Sequence, residues 1–269
     1  MSITHPAVGD ALPDAAPVRD IDFSDIRWAL KEGWADFKDL RGDLLFVGAI
    51  YVFVGLIAVL VALDQSLLPL AFPIAAGISL LGPIVAAGFY EMARRRELHE
   101  DVRWRHYFDV FAGPAAGPLL ALGLILAGLF VLWLAAAAAI YGVFFGDAYL
   151  GVSAPQSASA FIEALFTTGA GWKLIVVGNL VGLVFAIVAL AVSVVSFPMV
   201  VDKPSLGATP AIETSMRAVT QNPFAMARWG LIVAALLVIG SIPFFIGLAV
   251  VLPVLGYATW HLYTRVVAR

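Results

Sequence analysis

The sequence predicts an all-α, polytopic transmembrane bundle of six spans, arranged as three helical hairpins that each follow an amphipathic surface helix on the cytoplasmic side. Three observations predict this class. First, 62% of the 269 residues are hydrophobic and 13% are charged, whereas a soluble domain has about 45–50% and about 25%. Second, five long stretches lack Asp, Glu, Lys and Arg. Third, the basic residues gather in alternate connections between the predicted spans.

The composition also excludes several kinds of chemistry. The chain has no cysteine, which excludes a disulfide framework, a thiolate nucleophile, and a thiolate-held zinc or iron–sulfur cluster. The formal net charge of −3 is too small to indicate a nucleic-acid partner. The sequence therefore predicts the lipid bilayer as partner and no nucleic acid.

The uncharged stretches define the spans, because about 20 apolar helical residues cross a hydrocarbon core of roughly 30 Å. The last stretch, 229–264, would reach about 54 Å as one helix at 1.5 Å per residue. We therefore expect it to turn at residues 240–243, where Gly and Pro interrupt the run. The predicted spans cover residues 44–63, 67–92, 118–145, 174–201, 224–241 and 245–264.

The positions of the basic residues predict the orientation, because Lys and Arg are retained on the cytoplasmic side during insertion. All of the 16 basic residues except Lys173 and Arg228 lie before the first span, between the second and third, between the fourth and fifth, or after the sixth, and Arg228 lies in the first turns of the fifth span, beside its connection to the fourth. The sequence thus predicts a multi-pass protein of the bacterial inner membrane with both termini in the cytoplasm.

The segment that precedes the first span has the pattern of a helix on the membrane surface. Its apolar residues recur at helical spacing, and its charged residues lie largely on other faces. The apolar set is Phe23, Ile26, Leu30, Trp34, Phe37 and Leu40. The charged set is Asp25, Arg27, Lys31, Glu32, Asp36 and Asp39.

Two later segments have the same character. One follows Asp101, a predicted N-cap, and carries aromatic residues at helical spacing from Trp104 to Phe111. The other begins at Thr209-Pro210, a cap followed by Pro at the first helical position, and ends at Asn222-Pro223. Each surface helix therefore precedes a pair of spans.

This order predicts a disordered tail over residues 1–19 and one transmembrane domain over residues 20–269. The domain divides into three repeated units, which cover residues 20–98, 99–205 and 206–269. Prolines near the inner ends of spans are the predicted kinks or hinges. They are Pro83, Pro198 and Pro253.

Aligning the prolines of the first and third units places Glu91 on His261. Ionisable groups within a membrane are costly and are functional candidates, so this pair is the leading candidate site, with its members facing each other if the repeat holds. The alternative is that both lie at the headgroup level, within a belt of aromatic residues. The supporting polar residues are Arg94, Asp202, Arg217 and Asn222.

A basic cluster in the connection between the second and third spans is the candidate lipid site. Each cation contributes on the order of 1 kcal/mol to binding an anionic leaflet. Retention of a cytoplasmic loop explains the same charges, and the two interpretations are compatible. The cluster consists of Arg94, Arg95, Arg96, Arg103 and Arg105.

Several motifs together resemble a known family. They are Gly82-Pro83 with Gly88-Phe89-Tyr90-Glu91, Ser196-Phe197-Pro198, Asn222-Pro223, and Trp260-His261. In this order they resemble a bacterial family of predicted integral membrane proteins of unknown function, over nearly the whole chain from residue 20. Tyr257 departs from the pattern, since we expect His there in many relatives.

Some members of that family are labelled cytochrome c oxidase subunit I, and the residues here do not support the label. Such an oxidase needs several imidazoles inside the membrane for its haems and copper. This chain has four histidines, of which one lies near a predicted span. They are His5, His99, His106 and His261.

The sequence contains no Gly-rich phosphate loop with Lys-Ser or Lys-Thr, no His-Glu-x-x-His and no Gly-x-Ser-x-Gly. It predicts a non-enzymatic inner-membrane protein, without cofactor or metal, that organises lipid or partner membrane subunits. Anionic phospholipid and another membrane protein are the candidate partners. The alternative is a small transporter or channel with Glu91 and His261 near the cytoplasmic end of its pathway, since transporters are commonly built from repeats.

Overall fold

A computed structural model describes residues 16–40, 73, 82–146, 158–242 and 246–268. Several predictions fall outside these residues. They are most of the predicted tail, the first predicted span, the second predicted span before residue 82 apart from residue 73, and the predicted turn at Pro243.

The described residues are helical almost throughout. In chain order the helices are α1 over residues 23–40, α2 Gly82–Glu97, α3 His106–Asp109, α4 Ala116–Phe145, α5 Ala158–Thr167, α6 Gly169–Ser193, α7 Ser196–Asp202, α8 Ala208–Gln221, α9 Pro223–Ser241 and α10 Leu248–Val266. A short 3-10 turn, Pro204–Leu206, joins α7 to α8. The β-structure within the described ranges is one isolated bridge between Val18 and Val267.

Three segments of the described chain are long and apolar enough to cross a membrane. They are Ala116–Phe145, Gly169–Asp202 and Pro223–Ser241. Each coincides with a predicted span, namely the third, fourth and fifth. Helix α10 covers most of the sixth predicted span, but it does not meet the same criterion of length and apolarity.

The candidate spans expose large apolar side chains, as expected for helices whose outer faces contact hydrocarbon rather than water. On α4 these include Leu120, Leu124, Val131 and Leu132, and on α6 Val176, Leu180, Leu183 and Val184. Helix α9 exposes Leu231, Val238 and Ile239 in the same way. A surface of this kind is unfavourable in water, because transfer of apolar area out of water contributes roughly 25 cal/mol per Å².

The helix of the Gly169–Asp202 segment is interrupted between α6 and α7. In a continuous helix the ring of Pro198 would collide with the carbonyl of Val194, and Pro donates no hydrogen bond. Ser196 instead donates its hydroxyl to the carbonyl of Val192, and α7 restarts after Val195. The interruption thus lies beside one of the predicted kinks, whereas α10 continues through Pro253.

Helices α2 and α10 pack closely against each other, and they are the two helices that the predicted repeat aligns. A Cβ atom at Gly256 of α10 would lie 2.7 Å from the Cβ of Phe89 of α2. Phe89 also packs edge-on against the ring of Tyr257 at 5.6 Å between centroids. The main buried cluster is centred here, and its largest side chains include Trp229, Trp260 and Tyr263.

Helix α1 occupies the predicted residues, but its buried face differs from the predicted one. The residues that face the core are Ile26, Ala29, Gly33, Asp36 and Phe37. Phe23 and Trp34, which the apolar pattern places on the buried face, are exposed. The prediction that Asp36 lies with the exposed charges is wrong, because small residues on its face bring α1 against α10 and enclose it.

Close approach of the α1 and α10 backbones explains why α1 buries a different face from the predicted one. A Cβ atom at Gly33 would lie 2.6 Å from the backbone nitrogen of Ala258 and 2.8 Å from its Cα. Such contact requires a residue without a side chain at this position. The helix therefore packs through its smallest residues, and its larger aromatic residues turn outward.

The two other predicted surface helices differ in length and capping. Helix α3 is a single turn that begins at His106, so Asp101 lies too far before it to be its N-cap, and the Asp101 carboxylate pairs with Arg103 at 2.7 Å. Helix α8 begins at Ala208 after Gly207, whose φ of 77° favours glycine. Thr209-Pro210 therefore lies inside the first turn rather than before it. The predicted end at Asn222 is confirmed.

Residues 16–19, which the sequence assigns to the tail, lie against the end of the chain. The backbone N–H of Arg19 donates to the carbonyl of Val266 at 2.7 Å, and that of Ala268 donates to the carbonyl of Pro17 at 3.0 Å. Asn222 holds the following turn, since its side chain accepts from the N–H of Ile21 at 2.8 Å. For residues 16–19 these contacts disagree with the predicted disordered tail, so these four residues do not belong to it.

Candidate functional site

The C-terminal ends of α2 and α10 meet α1 and the turn around α3 in a group of paired charges. We call this group the charged layer. Its members are Asp36, Asp39, Glu91, Arg94, Arg95, Arg96, Asp109 and His261. Within the described ranges it joins elements that are far apart in sequence.

Glu91 is the buried centre of one half of the charged layer. Its carboxylate accepts two hydrogen bonds from Arg94, both at 2.9 Å, and one from Arg95 at 2.6 Å. Carboxylate and guanidinium groups three and four residues apart on a helix face each other, and the paired geometry with Arg94 is the strong form of this contact. The hydrogen bond to Glu91 raises the pKa of Arg94.

Arg95 extends this half of the layer beyond α2. Its Nη2 donates to the carboxylate of Asp109 in α3 at 3.1 Å. Tyr107 also binds α3 to α2, since its hydroxyl donates to the carbonyl of Val85 at 2.6 Å. The ring of Tyr107 fills the space beside Gly88, where a Cβ would collide with it. The short segment after α2 is therefore held against α2 by both polar and ring contacts.

Asp36 is the buried centre of the other half. The residue is 4% exposed. One carboxylate oxygen lies 2.8 Å from Nε2 of His261, and the other lies 3.2 Å from Nε of Arg96. Arg96 also donates to Asp39, and this contact lowers the pKa of the Asp39 carboxyl. Asp36 therefore connects α1 to both α2 and α10.

The ring of Trp28 packs against His261 and is itself covered by a cation. The indole of Trp28 meets the imidazole edge-on at 5.5 Å between centroids. The guanidinium of Arg265 lies 4.0 Å from the centroid of the Trp28 ring, which is a favourable cation–π distance. His261 is thus enclosed between Asp36 and Trp28, and its ring nitrogen Nε2 is engaged by a carboxylate.

Two further polar contacts tie α10 to its neighbours. The indole N–H of Trp260 donates to the Glu97 carboxylate at 3.0 Å. The hydroxyl of Tyr263 donates to Asp202 at 2.8 Å. Because Trp260 and Tyr263 flank His261 in the sequence, the C-terminal half of α10 is bound to both α2 and α7.

The comparisons with known proteins give one match. Residues 71–202 match the model of a family described as Predicted integral membrane protein (DUF2189). This part of the chain is similar to that family. The resemblance to predicted integral membrane proteins of unknown function is thereby confirmed. No curated protein and no solved structure matches the chain.

The DUF2189 segment contains only part of the charged layer. Glu91 and its two arginines lie within residues 71–202, whereas Asp36 and His261 lie outside them. The segment runs from before α2 to the end of α7 and includes two of the three candidate spans. The Asp36 half of the layer therefore joins elements from both sides of the DUF2189 segment.

The leading candidate pair, Glu91 and His261, takes different partners. Glu91 is bound by the two arginines of its own helix, and His261 is bound by Asp36. No ion pair joins Glu91 to His261 in the part of the chain that the structure describes. The carboxylate that the sequence reasoning missed is Asp36, and the signal that could have found its face is the pair of small residues Ala29 and Gly33.

The supporting residues lie in three different places. Asp202 accepts from Tyr263 and contributes to the electrostatic surroundings of Arg94. Arg217 forms an exposed pair with Glu213 at 3.3 Å within α8. Asn222 is buried and also donates to the carbonyl of Arg19 at 3.1 Å. Asn222 thus holds the N-terminal segment.

The candidate lipid-binding arginines are all engaged by side chains of the protein. Arg94, Arg95 and Arg96 bind the carboxylates described above. Arg103 pairs with Asp101 at 2.7 Å, and Nε of Arg105 lies 3.4 Å from a ring nitrogen of His106. An anionic headgroup at this cluster would have to compete with these internal partners.

Proposed function

We propose that the chain is a non-enzymatic inner-membrane protein that crosses the bilayer six times and organises lipid or partner subunits, with its charged layer holding the helix ends in place. The single observation that carries this proposal is the pairing of the layer. Asp36 of α1 binds Arg96 of α2 and His261 of α10, and Glu91 binds Arg95, which also reaches Asp109 of α3. Contacts of this kind hold the ends of the helices in a fixed arrangement. The outer faces of these helices, which can contact lipid or a partner subunit, therefore keep fixed positions.

The charge pattern supports an orientation with the charged layer and both termini in the cytoplasm. Lys203 follows the segment Gly169–Asp202, and Arg228 lies in the second turn of Pro223–Ser241. Lys173 lies at the opposite end of the first of these segments. Because cations are retained on the cytoplasmic side, the connection through α8 is proposed to lie on that side.

The transporter alternative has less support from the geometry. A group that carries an ion or binds a substrate must exchange its partners as the ligand passes. Glu91 has two guanidinium partners at 2.9 and 2.6 Å, and His261 has a carboxylate at 2.8 Å. These contacts favour a structural role for both residues.

The proposed function is tested by extracting the protein from its membrane together with the surrounding lipid, in polymer-bounded discs. We expect anionic phospholipid to be enriched about five-fold or more over the bulk membrane, because this ratio corresponds to one cation that contributes about 1 kcal/mol. A single-span membrane protein extracted in the same way is the control. A lipid shell with the bulk composition, together with no co-purified membrane subunit, would contradict the proposal.

A further inference from the structure

The outer face of α1 carries a stripe of basic and aromatic side chains. The stripe residues follow one another at spacings of four or three residues, which places them on one face of a helix. They are Phe23, Arg27, Lys31, Trp34 and Lys38. All five are exposed, and the two aromatic side chains are 44% and 46% accessible. We call this set the α1 stripe.

Three of the four acidic residues of α1 contact arginines of other helices. Asp25 lies 3.8 Å from Arg265, and Asp36 and Asp39 both pair with Arg96. The three cations of the α1 stripe form no ion pair with the residues that the structure describes. Three carboxylates of α1 are therefore paired with arginines of α2 and α10, whereas the cations of the α1 stripe remain available at the outer face. Glu32, at an intermediate position, is the remaining acidic residue of α1.

Contacts at the start of α1 indicate its depth relative to the membrane. The guanidinium of Arg228 lies 5.7 Å from the centroid of the Phe23 ring. Arg228 belongs to the second turn of Pro223–Ser241, a helix long and apolar enough to cross the membrane. At the other end, residue 40 precedes the predicted span 44–63 by only a few residues. Both ends of α1 are therefore expected near one membrane boundary.

We propose that the α1 stripe binds the anionic phospholipid headgroups of the adjacent leaflet. This inference rests on the proposed function and names its lipid-binding surface. Trp is enriched at the boundary between lipid and water, and Lys and Arg side chains extend along apolar surface to place their charges among headgroups. The three cations supply the charge complementarity. The arginines of α2, which bind carboxylates, act in the fold.

The test compares two variants that each lose three positive charges. The stripe variant carries Arg27→Gln, Lys31→Gln and Lys38→Gln. The matched control carries Arg19→Gln, Lys173→Gln and Arg217→Gln, which are exposed cations outside α1 and outside the candidate lipid-binding arginines. Each protein is reconstituted in discs with equal parts of phosphatidylglycerol and phosphatidylcholine. The ratio of the two lipids that remain bound is then measured by native mass spectrometry.

We expect the stripe variant to lose phosphatidylglycerol selectivity by at least about ten-fold and the control variant to stay within about two-fold of the wild type. Equal losses in both variants, or a larger loss in the control, would overturn the inference. Unchanged melting temperatures verify that the exposed substitutions leave the fold intact. If the wild-type protein itself shows no selectivity, the proposed function fails. If the wild-type protein is selective and the stripe variant keeps that selectivity in full, the inference about α1 fails alone.

Discussion

Replacing Asp36 with Ala is expected to lower the free energy of unfolding by about 2–4 kcal/mol. Removing one partner of a buried ion pair leaves the other charge or polar group without compensation. Here the loss affects Nε2 of His261 at 2.8 Å and Nε of Arg96 at 3.2 Å. The estimate is below the value for a fully buried pair, because the Arg96 side chain is 37% exposed and keeps Asp39. Denaturant unfolding in mixed micelles measures the change.

Asp39→Ala is the matched control for this prediction. Asp39 lies on the same helix and binds the same guanidinium of Arg96, but its side chain is 60% exposed. Water replaces the lost partner of an exposed ion pair with little effect on stability. We therefore expect the Asp39 variant to unfold close to the wild-type denaturant concentration. Similar losses in the two variants would show that the burial of Asp36 is not what stabilises the layer.

Gly33→Ala is expected to destabilise the protein by about 2 kcal/mol, although Ala forms helices better than Gly by about 1 kcal/mol. The new methyl group would lie 2.6–2.8 Å from three atoms of Ala258, two of which belong to the backbone. Backbone atoms cannot move aside by rotation of a side chain, so α1 must shift away from α10. The shift would also lengthen the contact between Asp36 and His261. Thermal unfolding in detergent measures the loss.

Gly128→Ala is the control for the effect of helix propensity. Gly128 lies within α4, and a Cβ atom at this position meets nothing within 4 Å. This variant is expected to unfold at the wild-type temperature or slightly above it. If Gly33→Ala behaves in the same way, the close approach of α1 and α10 is not a feature of the protein.

The spans were the easiest part of the fold to predict. Long uncharged stretches have few alternatives to helices in lipid, because every backbone polar group must be satisfied within the segment. The three candidate spans accordingly coincide with predicted ones. The faces of α1 were harder to predict, since the apolar pattern counts Trp34 as a core residue and gives no weight to Gly33. Packing of small residues decides which face is buried, and hydrophobic periodicity does not detect it.

The charged layer was predictable only where its members are neighbours in sequence. The spacing of Glu91, Arg94 and Arg95 on one helix is visible in the sequence. The pair of Asp36 and His261 joins residues 225 positions apart. Their proximity depends on how α1 docks against α10, which follows from Gly33 and Ala258. The predicted pairing of Glu91 with His261 assumed that corresponding residues of a repeat face each other, whereas Glu91 binds two arginines of its own helix and His261 binds Asp36.

The proposed cytoplasmic position of the charged layer is tested most directly by labelling single cysteines in intact cells. The chain has no cysteine, so Glu100→Cys beside the layer and Glu163→Cys on α5 each introduce one thiol. Both positions are exposed. With a membrane-impermeant maleimide, we expect the cysteine at position 163 to react in intact cells and the cysteine at position 100 to react only after the membrane is opened. Labelling at position 100 but not at position 163 in intact cells would contradict the proposed orientation.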